Sequence, residues 1–279
     1  MGFGTVTTIL ADPKAVAGQV ASAADLARRL DAHLELLALG VDEVQMGYFF
    51  AGGEAIVPQP SLDVARDLAQ ELARSAKEAV DREQVLNDVN GVVAQFGALH
   101  DVVARTTRFS DLVVLPAPYV GEALPRDELI LEAALFGGHA PVLVMPETGL
   151  PQDFGKRIVI GWNDGAEAMA AVRAALPLLR AAERCHIAII DPLERDADQA
   201  GPGRSLSTML DRHGVKAEVA LLPKTHPSIA QVLSDHAKDV DASLIVAGAY
   251  GHSRFRQAIL GGATRDLLGG IGLPVLLSH

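Results

Sequence analysis

Three glycines near the C-terminus have the spacing of a loop that binds phosphate. Gly248, Gly251 and Gly261 follow the apolar run Leu244–Ala247 in the pattern G-x2-G-x9-G, and two arginines lie inside the loop. Glycine lets backbone N–H groups approach phosphate oxygens closely, and the N-terminus of a following helix adds unpaired donors and a favourable dipole. By spacing alone, this segment is either a phosphate loop or a sharp turn after a strand.

Polar residues also end two other predicted strands in the same half of the chain. Asn163 follows the apolar segment Arg157–Trp162, and Asp191 ends the segment His186–Asp191. In parallel sheets, ligands collect at the carboxyl ends of the strands, so these side chains are candidates for a ligand site. Trp162 has two open interpretations, as a core packing residue or as a stacking platform.

The elements that must position these residues occur twice, because the two halves of the chain share one order of apolar strands and amphipathic helices. In both halves a strand, a helix and a second strand are followed by a third strand, a helix and a buried strand without polar alternation, which is typical of a parallel sheet covered on both faces. The predicted strands are Val6–Ala11, Leu34–Leu39, Val92–Phe96, Leu112–Leu115 and Pro141–Met145, and then Arg157–Trp162, His186–Asp191, Ala217–Leu222, Leu244–Ala247 and Pro274–Ser278.

The repeat predicts two domains joined by a short linker. Residues 1–147 form the first repeat and residues 157–279 the second, and the linker 148–156 contains Gly149, Pro151 and Gly155. The first repeat carries an insertion, Val41–Pro60, whose role the sequence leaves open between a surface loop and an interface.

Composition excludes several classes of protein. The 279 residues are 49% hydrophobic and 21% charged, which is typical of a globular chain. The single cysteine, Cys185, excludes an internal disulfide and predicts a cytoplasmic protein. The net charge of −11 argues against nucleic-acid and membrane partners, and the scattered histidines predict no metal site.

The glycine loop and the repeated strand order resemble the ATP-binding universal stress proteins, whose phosphate loop has the pattern G-x2-G-x9-G-[ST]. The resemblance extends to the sequences Leu-Ile-Val-Ala-Gly before the loop and Leu-Pro-Val-Leu-Leu after it. It implies an α/β fold of two tandem Rossmann-like units, each a five-stranded parallel sheet of order 3-2-1-4-5 flanked by helices. It also implies that an adenine nucleotide, ATP or AMP, binds at the switch point between the first and fourth strands. A Mg²⁺ ion can accompany this nucleotide.

Carried over position by position, the resemblance implies a set of nucleotide contacts. Two positions depart from the family pattern: Gly262 stands where the family has a small hydroxyl residue, and Asn163 stands where it has an acidic one. A backbone donor survives at Gly262, Thr264 compensates for the lost hydroxyl, and Asn163 still donates and accepts hydrogen bonds. The implied contact residues are Gly161, Trp162, Asn163, Asp191, Gly248, Gly251, His252, Ser253, Gly261, Gly262, Ala263 and Thr264.

The corresponding loop of the first repeat is not suited to phosphate. It begins Pro116-Ala-Pro-Tyr, in which prolines remove backbone donors, and it continues with Glu122, Asp127 and Glu128, which repel anions. We therefore expect no nucleotide in this loop, although Asp12 still ends the first strand. The first repeat would instead act as the pseudo-symmetric partner of the second.

Three functions follow from these features. The leading one is a stress-response regulator whose nucleotide occupancy changes a surface for a protein partner, in a chain that pairs again as a homodimer of tandem chains. The second is a nucleotide-free module that binds a protein or a small molecule. The third is an enzyme with at most slow ATP hydrolysis, which the sequence does not favour because the G-x4-G-K-[ST] and G-x-S-x-G motifs are absent.

Overall fold

The computed structural model describes residues 2–42, 59–119, 124–191, 201, 203–249, 262–270 and 272–279. Within them the chain divides into two compact units. The N-terminal unit comprises Phe3–Leu115 and Pro125–Gly138, and the C-terminal unit comprises Met1–Gly2, Pro116–Leu124 and His139–His279. These compact units are a different division of the chain from the sequence repeats, so the predicted repeat boundaries stay a prediction.

The N-terminal unit is an α/β unit with a parallel sheet. Its strands are β1 (Thr5–Leu10), β2 (His33–Asp42), β3 (Asn87–Gln95) and β4 (Leu112–Pro116), and its helices are α1 (Val16–Leu30), α2 (Gln59–Val80), α3 (Leu99–Thr107) and α4 (Pro125–Glu132). The sheet order is β3-β2-β1-β4, and β1 is parallel to both β2 and β4. This is the predicted order of the first four strands.

The C-terminal unit contains the complete predicted order of five strands. Its strands are β5 (Val142–Met145), β6 (Arg157–Gly161), β7 (Arg184–Ile190), β8 (Ala217–Leu222), β9 (Leu244–Gly248) and β10 (Val275–Ser278), and its helices are α5 (Ala166–Ala181), α6 (Arg204–Arg212), α7 (Ile229–Asp239) and α8 (Gly262–Gly270). The order is β5-β10-β9-β6-β7-β8. Strands β6 to β10 are mutually parallel, and β5 pairs antiparallel with β10. The predicted α/β fold is confirmed.

The cores consist of short apolar strands covered by amphipathic helices. Ile158, Val159 and Ile160 of β6 are fully buried, as are Leu244 and Ile245 of β9. This burial explains why the strands of the sequence show apolar runs without alternation, because helices cover both faces of the sheet. Among the described residues, no helix is both long and apolar enough to span a membrane.

Three predicted features need correction. Helices α2 and α6 were not predicted, and β3 begins at Asn87 rather than at Val92. Strand β3 is an edge strand whose first residues are polar and partly exposed, so hydrophobic pattern does not mark its start. Residues 43–58 of the insertion lie outside the described residues, and residues Gln59 and Pro60 begin α2.

Candidate functional site

The candidate site lies at the carboxyl end of β6, where the strand order of the C-terminal unit reverses. Strand β6 pairs in parallel with β7 on one side and with β9 on the other, and Gly161 is level with Ala188 and with Ala247. The chain leaves β6 toward β7 and returns toward β9, so this edge is the topological switch point of the sheet. Crevices at such switch points are the usual ligand sites of doubly wound sheets.

Two of the helices that begin at this edge follow the strands of the switch point. Helix α5 connects the parallel strands β6 and β7, and α8 connects the parallel strands β9 and β10, so both helices run back against the strand direction. The N-termini of α5 and α8 therefore lie at the edge where β6 and β9 end. Each N-terminus presents backbone N–H groups without partners inside its own helix.

The first turns of the two helices differ in charge. Glu167 lies in the first turn of α5, whereas the first turn of α8 contains no acidic residue. A carboxylate competes with an external anion for the N–H groups and the dipole of a helix N-terminus. The end of α8 is therefore the better place for a phosphate group.

Gly248, the last residue of β9, lies directly against the first turn of α5. A Cβ atom at Gly248 would overlap the backbone nitrogen of Ala168 and would lie 2.6 Å from the carbonyl carbon of Glu167. These atoms belong to the backbone and cannot turn aside as a flexible side chain could, so only glycine fits at this position. The first glycine of the sequence motif thus has a packing role in the structure.

Asn163 and Asp164 shape the turn between β6 and α5. The side-chain Oδ1 of Asn163 accepts a hydrogen bond from the backbone N–H of Gly165 at 3.0 Å, and Asp164 adopts a left-handed backbone with φ of 59°. The exposed side chain of Asn163 has no other hydrogen bond among the described residues, so its amide Nδ2 donors remain available to a ligand.

Trp162 and Asp191 lie at the ends of neighbouring strands in different environments. Trp162 is only 8% exposed, and its backbone N–H donates to the carbonyl of Ala188 at 2.9 Å. This burial favours the packing role over the stacking platform. Asp191 is exposed, has φ of 52°, and its backbone N–H donates to the carbonyl of Leu222.

The structure describes part of the glycine loop. Gly262 begins α8 with open space where a Cβ atom would lie, and Thr264 is buried. Ala263 lies in the same first turn. The predicted contacts Gly251, His252, Ser253 and Gly261 lie outside the described residues.

Sequence analysis missed the contacts that hold α8. Ser228, just before α7, donates through its Oγ to Asp266 Oδ2 at 2.9 Å, and the Arg265 guanidinium lies 5.3 Å from the centre of the Tyr119 ring. No sequence signal pairs these residues, since they are far apart in the chain.

The unit also contains a histidine pair, His186 on β7 and His236 on α7, whose rings lie edge to face at 5.7 Å. Burial lowers the pKa of His236, the neighbouring His186 lowers it further, and Asp239 raises it. The described residues contain no group of three or more side chains that could hold a metal ion, so the pair is not part of such a cluster.

The lone thiol, Cys185, is buried, and burial raises its pKa to about 11, which keeps it protonated and unreactive near neutral pH.

The lowered pKa of His236 predicts that the folded protein loses stability in acid. Because the folded-state pKa lies below that of the unfolded chain, this residue contributes stability above the unfolded pKa of about 6.5 and loses it as the pH falls through the folded pKa. We expect the free energy of unfolding of His236→Gln to change less between pH 7.5 and pH 5 than that of the wild type, as measured by urea titration. Equal pH slopes for both proteins would contradict this assignment, and His33→Gln, at an exposed ion pair, is the control.

The fold and the site define a class, the doubly wound α/β proteins with a ligand crevice at the switch point of a parallel sheet. Residues 155–279 match the model of the universal stress protein family. Over these residues the chain is therefore similar to a universal stress protein domain.

Solved structures share the fold over nearly the whole chain. A universal stress protein from Archaeoglobus fulgidus DSM 4304 superposes with a TM-score of 0.72 at 11% identity, covering 98% of this chain and 95% of that one. A structure from Pseudomonas aeruginosa UCBPP-PA14, assigned to the same family, gives 0.56 at 17% identity over 99% and 93%. At these identities the matches show the fold alone. No curated protein matches the chain by sequence.

Proposed function

We propose that the C-terminal unit binds an adenine nucleotide, ATP or AMP, at the switch point beside β6. One observation carries the proposal: the first turn of α8 contains no carboxylate, and no atom of the described residues lies within 4 Å of a Cβ built at Gly262. The first turn of α5 carries Glu167 and presses against Gly248, so it offers less room and less attraction to an anion. The family of the domain supports the same ligand.

The described residues provide separate contacts for the two ends of a nucleotide. The phosphates would accept hydrogen bonds from the backbone N–H groups at the start of α8, at Gly262, Ala263 and Thr264. The adenosine would lie toward Asn163 and Asp191, whose exposed side chains end neighbouring strands. Asp164 is the exposed carboxylate of the β6–α5 turn, and it would be the ligand for a Mg²⁺ ion that accompanies ATP.

Within this proposal the protein is a regulator rather than a catalyst. Nucleotide occupancy would favour one conformation at the crevice, and a protein partner would recognise that conformation in the stress response. The N-terminal repeat would act as a pseudo-symmetric partner without a nucleotide of its own, and two tandem chains would form a homodimer in the cytoplasm. Hydrolysis would be slow at most.

A second candidate is a nucleotide-free interaction module, and the packing of Gly248 favours it. Because the first glycine of the motif is required by the contact with Ala168, its presence does not by itself indicate a ligand. The module would keep the fold of the phosphate loop without its function. The two candidates differ in one measurable property, the binding of nucleotide.

The first experiment is to denature freshly purified protein and to identify any released small molecule by mass spectrometry. Adenine nucleotide near one equivalent per chain supports the proposal and identifies the ligand. If none is released, titration calorimetry with MgATP and with AMP follows. Absence of binding at millimolar concentration would reject the proposal in favour of the interaction module.

A further inference from the structure

Helix α8 has little intrinsic stability. It is nine residues long, and three of these are glycines, at positions 262, 269 and 270. Isolated helices shorter than about 12 residues are marginal in water, and the glycines at both ends of α8 add no side-chain contacts of their own. Tertiary contacts must therefore fix the position of α8 and of the N–H groups at its start.

The contacts on the buried face of α8 come from its own unit. Leu267 and Leu268 are each 5% exposed, and Thr264 is 7% exposed. Ser228 adds the hydrogen bond to Asp266 described above. The hydrogen bond and the packing between the two helices hold α8 against α7.

A different segment holds the helix through Arg265 and Gly269. The Arg265 guanidinium lies over the Tyr119 ring at 5.3 Å, and a Cβ at Gly269 would lie 3.8 Å from the Cβ of Tyr119, an ordinary van der Waals distance. The helix backbone at position 269 therefore lies close to the tyrosine, with room for a small side chain. The ring is half-buried, which strengthens a cation–π contact relative to a fully exposed one.

Tyr119 belongs to the segment Pro116–Tyr119, which we term the 116–119 loop. In sequence it is the degenerate phosphate loop of the first repeat, yet in space it is part of the C-terminal unit. The backbone N–H of Ala117 donates to the carbonyl of Met145 at the end of β5, at 3.1 Å. Ala117 and Met145 also line a cavity of about 270 Å³ together with Leu267, Leu268 and Gly269 of α8.

We propose that the 116–119 loop is a positioning element for the phosphate site, in which Tyr119 fixes α8 through Arg265. The loop lacks residues suited to phosphate, and it contacts the helix of the other site through Tyr119. This inference rests on the proposed function for its effect on nucleotide, whereas the effect on α8 itself does not depend on any ligand. Tyr119 acts through α8 and is not a contact residue.

The test measures the helix and the ligand separately in the full chain. Hydrogen–deuterium exchange of the α8 amides is recorded without nucleotide, and nucleotide affinity is measured by calorimetry with MgATP. The variants are Tyr119→Ala, which removes the ring, Tyr119→Phe, which keeps its face, and Arg265→Gln, which removes the cation. Phe109→Ala is the matched control, since Phe109 is 80% exposed in the N-terminal unit.

We expect Tyr119→Ala and Arg265→Gln to raise the exchange rates of α8 and to weaken MgATP binding by the same factor, roughly two- to fivefold. Phe109→Ala should match the wild type in both measurements, and Tyr119→Phe, which keeps the ring face, should lie closer to the wild type than Tyr119→Ala does. Unchanged α8 exchange in Tyr119→Ala, or equal effects of Tyr119→Phe and Tyr119→Ala, would overturn the positioning role. If the exchange results are as expected but the wild type binds no MgATP, the proposed function fails and the helix contact stands.

Discussion

Gly248→Ala should destabilise the C-terminal unit by about 3 kcal/mol, at the upper end of the range for overpacking. The new methyl group would overlap the Ala168 nitrogen and lie 2.6 Å from the Glu167 carbonyl carbon and 2.9 Å from the Ala168 Cα. All three atoms are backbone, so relief requires α5 to move away from β9. Urea unfolding followed by circular dichroism measures the loss.

Gly18→Ala is the matched control for this substitution. Gly18 lies within α1, and a Cβ atom added there would meet no atom within 4 Å apart from its own helix. Alanine there should leave stability unchanged or raise it by up to about 1 kcal/mol, as expected for glycine replaced in a helix. Equal stabilities of Gly248→Ala and the wild type would show that β9 and α5 are not in the close contact described.

This packing changes the interpretation of the glycine motif. In the sequence, Gly248 and Gly262 both belong to a pattern that resembles a phosphate loop. In the structure, Gly248 has no room for a side chain, whereas Gly262 has open space. Substitution at Gly248 therefore tests the packing of β9 against α5, whereas substitution at Gly262 tests the proposed phosphate site at the start of α8.

Hydrophobic pattern was sufficient to predict most of the strands because they are buried and apolar, whereas their order was implied by the family resemblance. Strands β6 and β9, which define the switch point, were predicted to within one residue at their ends. The prediction left out α2, a 22-residue helix between β2 and β3 that begins inside the predicted insertion, and α6, whose nine residues are largely polar. Short polar helices gain their stability from tertiary contacts rather than from local sequence.

The parts of the site that sequence could not predict are contacts between distant residues. Asn163 and Asp191 were expected at strand ends, and they lie there. The contact between Tyr119 and Arg265 joins two repeats of the sequence within one compact unit, which neither repeat alone indicates. Similarly, the difference in charge between the first turns of α5 and α8, which comes from Glu167, becomes relevant only because the two helices follow neighbouring strands.

Gly262→Ser should tighten nucleotide binding by roughly tenfold. A hydrogen bond to a charged group contributes about 1.5–3 kcal/mol, and part of this free energy is lost because the serine side chain must be ordered. Gly262 occupies the position of the hydroxyl residue in the resembled motif, and its Cβ position is open, so a serine fits without movement of the backbone. At the start of α8 its Oγ would donate to the same phosphate that the backbone N–H groups bind. The dissociation constant for MgATP, measured by calorimetry, is the readout.

Gly262→Ala separates the hydroxyl from the added carbon. Both variants add a Cβ in open space and both reduce the flexibility of the unfolded chain, so their stabilities should be similar and no lower than that of the wild type. If serine tightens MgATP binding and alanine does not, the phosphate lies at the start of α8. Equal affinities for the two variants would place the phosphate elsewhere, and the first turn of α8 would then have to be abandoned as its site.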